Sequence, residues 1–179
     1  MYYGEKVKLR AYKREDVPLA CEYMNDSEIK AHLVTDVPYP LTFDEELKWY
    51  EGLSNSKGTY NFAIEDLKTG KYIGGCGINE ANWVSRTATI GIFIGDKNCW
   101  NKGYGTDAMK VLMKFVFQQM NMNKIKLYVF DFNIRAKKCY EKCGFKVEGV
   151  LRQELFRDGY YYDEIAMGIL REEWLEKQR

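Results

Sequence analysis

A chain of 179 residues with a net charge of +1 is long enough for one domain, residues 1–179, with its own core, and it carries no overall field toward nucleic acid, an acidic substrate or a membrane. Its five cysteines (Cys21, Cys76, Cys99, Cys139, Cys143) follow no paired spacing, and His32 is its only histidine. These counts point to free thiols in a reducing compartment and leave no cluster for a metal. Met1–Lys6 has no apolar signal core, and no segment approaches the roughly 20 apolar residues needed to span a bilayer, so a soluble cytoplasmic protein is expected.

Val7, Leu9 and Ala11 alternate with Lys8 and Arg10, a strand pattern. Asp16 to Asn25 reads as a helix with Asp16 as its cap and Pro18 in the first turn. Ala31 to Leu41 holds Pro38 and Pro40 and reads as a loop. Thr42-Phe43-Asp44-Glu45 is a capping box that opens a second helix to about Leu53. Tyr60–Glu65 and Lys71–Ile78 form a hairpin closed at Gly70, and the β-branched stretch Thr87–Ile94 is a fourth strand. Ala108, Val111, Leu112, Phe115, Val116 and Gln119 fall on one helical stripe. Lys124–Phe130 is a strand, Ile134–Lys142 a short helix stopped by Gly144, and Lys146–Leu155 and Tyr160–Leu170 are strands turning at Arg157-Asp158-Gly159. Glu172–Lys177 closes the chain as a helix. The mixed order predicts an α+β fold: a central sheet with helices on both faces.

The chemistry concentrates in Trp100-Asn101-Lys102-Gly103-Tyr104-Gly105-Thr106, between the fourth strand and the amphipathic helix. Two glycines two apart let backbone approach a ligand, and the helix behind them presents unpaired N–H groups, so the run is a pyrophosphate cradle with Lys102 as an adjacent cation. An ordinary Gly-rich turn is the plain alternative. A Walker A pattern is absent. The dinucleotide pattern is matched by Gly103, Gly105 and Ala108, but the polar loop Gly95–Lys102 separates strand from glycine where that fold allows no gap.

The run Lys102-Gly103-Tyr104-Gly105-Thr106 resembles the signature R/Q-x-x-G-x-G/A of the GNAT superfamily of acetyltransferases, with Trp100 where the general motif has Arg or Gln. An aromatic residue there is similar to the subgroup near the ribosomal-protein alanine acetyltransferases. Asn133 to Phe145 resembles the family's N-x-x-A-x-x-x-Y-x-K-x-G-F, and Glu148-Gly149-Val150-Leu151-Arg152 with Gly159 to Asp163 resembles the subgroup's E-G-x-x-R…G-x-Y-x-D ending.

The resemblance implies a mixed, mostly antiparallel seven-stranded sheet splayed between its fourth and fifth strands. It implies that acetyl-coenzyme A enters the gap, pairs with Ile92, Phe93 and Ile94, sets its pyrophosphate on Lys102, Gly103, Tyr104, Gly105 and Thr106, and meets Asn133 along the pantetheine arm. Tyr140, two helical turns after Asn133, is the expected general acid for the leaving thiol; a core Tyr packed on Phe145 is its plain alternative. The base stays open between Glu80, the first candidate, and Asp96. The expected activity is transfer of acetyl to a primary amine, of a protein N-terminus or a small molecule, by direct attack in a ternary complex. A cofactor-binding module without catalysis and a polyamine acetyltransferase are the alternatives. Polyamine enzymes of similar build carry a Glu in the fourth strand where this chain has Thr89. Acceptor selection is expected from Val34–Leu41, the second helix, Asn82-Trp83 and Tyr160–Asp163, with Asp36, Asp44, Glu45, Glu46 and Asp163 as possible cation-binding charges. No metal, nucleic acid or membrane partner is expected, and the protein is expected to be a monomer or homodimer.

Overall fold

A computed structural model describes residues 1–55 and 58–178. The strands are β1 (Tyr2–Tyr3), β2 (Val7–Arg10), β3 (Tyr60–Asp66), β4 (Tyr72–Asn82), β5 (Thr87–Ile94), β6 (Lys124–Phe130), β7 (Lys146–Arg157) and β8 (Tyr160–Leu170). They form one sheet in the order β1-β2-β3-β4-β5-β6-β8-β7, antiparallel except for the parallel β5–β6 pair. This is the expected α+β sheet with eight strands instead of seven. The added β1 is a two-residue edge strand paired to Lys8 and Leu9.

Helices α1 (Val17–Asn25), α2 (Ser27–Leu33), α3 (Phe43–Gly52), α4 (Tyr104–Lys114), α5 (Ile134–Cys143) and α6 (Arg171–Glu176) cover both faces. Strand alternation divides the core between them. On β3, Ile64 joins the large cluster with Met109, Leu112 and Phe117, while its neighbour Ala63 packs on the other face with Ala20 of α1 and Tyr72.

Three local expectations are corrected. Asp16 stands at the N-cap of α1 but its side chain makes no capping bond: its carboxylate accepts from Lys13 N (2.8 Å) and takes both Nη groups of Arg10 (2.7 and 2.8 Å). Residues 31–33 are helical, because Asp26 caps α2 by accepting from Glu28 N (3.0 Å) and Ile29 N (3.1 Å), and Ile29 is buried. The amphipathic stripe does not continue as α-helix. After α4, Phe115–Gln119 form a π-helical turn that brings Phe117 and Met120 inward and leaves Gln119 exposed. The Thr42–Glu45 box is formed as expected, with Thr42 N donating to Glu45 Oε2 at 2.7 Å.

Candidate active site

The parallel pairing of β5 and β6 ends after Thr87–Thr89 against Lys124–Lys126. From Ile90 onward β5 keeps β4 on one side and has no strand on the other. Into this gap opens a cavity of about 880 Å³ lined by Ile90–Ile94 of β5 and Tyr128–Phe130 of β6. Its size suits a ligand as large as a nucleotide cofactor, and the unpaired edge of β5 offers backbone donors and acceptors to an extended chain.

The gap ends at α4. Trp100 Nε1 donates to Ile94 O at 2.7 Å and ties the loop to the end of β5. Asn101 (φ 58°) and Gly103 (φ 86°) take left-handed conformations, and the turn delivers the N-terminus of α4 to the cavity wall at Gly105 and Thr106. A Cβ on Gly105 would meet Ile94 Cγ1 at 3.7 Å and Cys139 Sγ at 3.9 Å, so the fold tolerates it and the space belongs to the cavity. The guanidinium of Arg135 stacks 3.4 Å above the Trp100 ring and lines the same wall, with Lys138 and Lys142 on the same helix. A cation thus stands over the Trp that occupies the motif's Arg or Gln position.

At the start of that helix, Asn133 caps α5 by accepting from Ala136 N (3.2 Å), and among the described residues its Nδ2 donates to no protein group. Tyr140 lines the cavity, lies 6.1 Å from the Phe145 ring, and has no hydrogen-bond partner for its hydroxyl among the described residues. Burial holds that hydroxyl well above the usual phenol range, with Cys139 and Cys143 adding to the effect, so it stays protonated.

Ile92, Phe93, Ile94, Gly103, Gly105, Thr106, Asn133 and Tyr140 therefore meet in one cavity. Lys102 is exposed beside it, and Tyr104 turns its ring to the core, 5.5 Å from Lys6 Nζ. Glu80 does not line the cavity: it lies past the register shift at Ile78/Glu80 and is exposed. Asp96 is engaged by Asn98 N (2.9 Å) as the cap of a 3₁₀ turn. Trp83, Tyr160 and Tyr161 are exposed outside the cavity, and Asp163 accepts from Gln153 N (2.8 Å). The second helix does contribute, through Glu45, Glu46 and Trp49, and Tyr12 and Tyr72 join them. Those two tyrosines carry no motif that singles them out. His32 also lines the cavity, with Nδ1 buried and without a partner among the described residues.

The model of the acetyltransferase (GNAT) domain matches residues 6–146. The chain belongs to the GNAT acetyltransferase family. This GNAT protein is 31% identical over 176 residues to the spermidine N(1)-acetyltransferase of Escherichia coli strain K12, covering 98% of this chain and 92% of that one. It is 30% identical over 174 residues to the spermidine N(1)-acetyltransferase of Vibrio cholerae, covering 97% and 98%. The crystal structure of spermidine N-acetyltransferase from Vibrio cholerae in complex with CoA and spermine superposes with a TM-score of 0.86 at 30% identity, over 95% of this chain and 98% of that one. The GNAT protein is thus an acetyl-coenzyme A-dependent N-acetyltransferase, as the sequence motifs led one to expect.

Proposed function

We propose that the protein acetylates a primary amine of a small aliphatic polyamine in a ternary complex, with Tyr140 as general acid. The observation that carries the chemistry is the unpaired hydroxyl of Tyr140 in the same cavity as the open edge of β5. Acetyl-coenzyme A supplies the acetyl group and departs as the thiol. In this reading Ile92–Ile94 pair with its pantetheine arm and Asn133 Nδ2 donates to it. The α4 N-terminus at Gly105 and Thr106, with Arg135 over Trp100 and Lys102 at the rim, takes the phosphates. The acceptor nitrogen bonds to the thioester carbonyl carbon, the C–S bond breaks, the sulfur takes the Tyr140 proton, and the phenolate regains a proton from solvent. The proton lost by the amine is passed to water in this reading; Glu80 and Asp96, the bases expected from sequence, do not line the cavity.

The polyamine class is supported by the spermidine acetyltransferases that match over nearly the whole chain. The protein N-terminus, expected from the aromatic at Trp100 and the third motif block, is the second reading. A thiol-release assay over spermidine, N-terminal peptides and aminoglycosides tests the proposal. Spermidine is expected to be the preferred acceptor, and preference for a peptide overturns it.

The cofactor half has its own test. Gly105→Val places a branched side chain where the phosphates approach while leaving the fold room for its Cβ. Loss of one charge-assisted hydrogen bond there corresponds to roughly 10- to 100-fold weaker coenzyme A binding by calorimetry. Unchanged affinity in the folded variant would displace the cofactor from α4. Gly103 is a poorer probe, because its φ of 86° strains any side chain.

A further inference from the structure

Every other buried charged side chain among the described residues has a partner. Arg10 is held by Asp16 and Glu65, Lys30 donates to Tyr39 O at 2.6 Å, Asp66 accepts from Thr69 Oγ1 at 2.7 Å, and Arg157 donates to Val34 O at 2.6 Å. Glu46 is 7% exposed and its carboxylate has neither a hydrogen bond nor an ion pair among the described residues. Burial alone, with nothing to offset it, holds its carboxyl above the usual range. A half-desolvated carboxylate without a protein partner costs stability, and because Glu46 lines the cavity a cationic ligand there would offset that cost.

The surroundings indicate the chemistry of that ligand. Glu46 and Trp49 lie one turn apart on α3, and both line the cavity. The Tyr12 ring meets Trp49 edge-on at 5.0 Å between centroids and lies 5.8 Å from Tyr72. Burial holds the Tyr12 and Tyr72 hydroxyls above the usual phenol range, with Glu46 a smaller contributor in the same direction, so the carboxylate shares the cavity with neutral rings. Gly75, Gly77 and Gly91 keep the sheet beneath free of side chains. Aromatic rings and one partnerless carboxylate lining the same cavity suit an aliphatic ammonium, which can gain an ion pair and cation–π contact together.

We propose that Glu46, with the rings of Tyr12 and Trp49, binds an ammonium group of the acceptor remote from the nitrogen that is acetylated. This rests on the acetyltransferase reading above and gives it a specificity residue. It also places the acceptor's charge reader on α3 instead of on β5, where Thr89 carries no charge and keeps its Oγ1 buried without a partner among the described residues. The other cavity carboxylates are not equivalent. Glu45 is engaged by Thr42, and Glu164 stands on β8, beyond the gap from α3.

Glu46→Gln tests this because it keeps the shape and removes the charge. Acetylation of spermidine is compared with that of a linear alkyl monoamine of matching length, and spermidine binding is measured by calorimetry with coenzyme A present. The ratio of kcat/KM for spermidine over monoamine is expected to fall roughly tenfold or more, mainly through KM, and spermidine binding to weaken in proportion. Coenzyme A affinity stays at the wild-type value. The thermal midpoint of the free protein rises, because an unpaired buried charge has been removed; a merely structural residue would give the opposite sign. An equal loss on both amines, a fall in kcat at constant KM, or no change overturns the proposal. If the wild type acetylates peptides or aminoglycosides but neither binds nor acetylates spermidine, the Glu46 site is wrong while acetyl transfer stands. If spermidine binds in a Glu46-dependent way but no amine is acetylated, the site stands and the transfer reading fails.

Discussion

Tyr140→Phe is expected to lower the rate of acetyl transfer by about 10²–10⁴-fold while coenzyme A binds as before. The ring sits at 7% exposure among core residues and packs toward Phe145, and Phe keeps all of that contact. What is lost is one proton at one place. Burial keeps the hydroxyl protonated at neutral pH, and no protein group among the described residues accepts its hydrogen, so the donor is not spent on structure. An interaction made only as the C–S bond breaks shows in kcat and not in KM. Single-turnover transfer should be measured beside the steady state, since release of product can hide a change in the chemical step. A variant that transfers acetyl at the wild-type single-turnover rate makes Tyr140 a packing residue.

The cofactor half of the cavity was legible because its parts are local in sequence. Gly103 to Thr106 and Asn133 to Tyr140 are each one continuous turn-and-helix run, and short-range geometry carries their side chains to the same wall. The acceptor half is assembled across the fold. Tyr12 follows β2, Glu46 and Trp49 lie on α3, and Tyr72 opens β4; no spacing links them, so the sequence offered Glu46 only as one of several possible cation-binding charges and held no means of singling it out. Arg135 over Trp100 is the same case, a contact between residues of different motifs. Among the elements, the seven-residue α2 hid beside Pro38 and Pro40, although Asp26 ahead of Ser27-Glu28-Ile29 was a readable cap. The π turn at Phe115 left no readable trace: it is a backbone insertion inside an apolar stripe whose residue types suit either helix.

Arg10→Met is expected to destabilise the protein by about 3–5 kcal/mol, a large part of the roughly 5–15 kcal/mol that holds an ordinary domain folded. Arg10 leaves β2 with 6% exposure and clamps Asp16 through both Nη groups, while its Nε donates to Glu65 on β3 and Nη1 also reaches Ala11 O at 2.9 Å. Met fills much of the same volume but leaves Asp16, at 5% exposure, as a buried charge with only the Lys13 N–H. Glu65 is less affected, since Lys8 remains its partner. The loss should therefore fall mainly on Asp16, and Asp16→Asn in the Arg10→Met background should recover a substantial part of it; urea unfolding of the four proteins in the cycle reads the coupling. A loss below about 1 kcal/mol would mean that water reaches the carboxylates and that the cluster behaves as a surface pair. The clamp also bears on the site. It fixes the chain on both sides of Tyr12, so any folded Arg10→Met protein should hold the Tyr12 ring less firmly against Trp49 and show a raised acceptor KM at unchanged coenzyme A affinity.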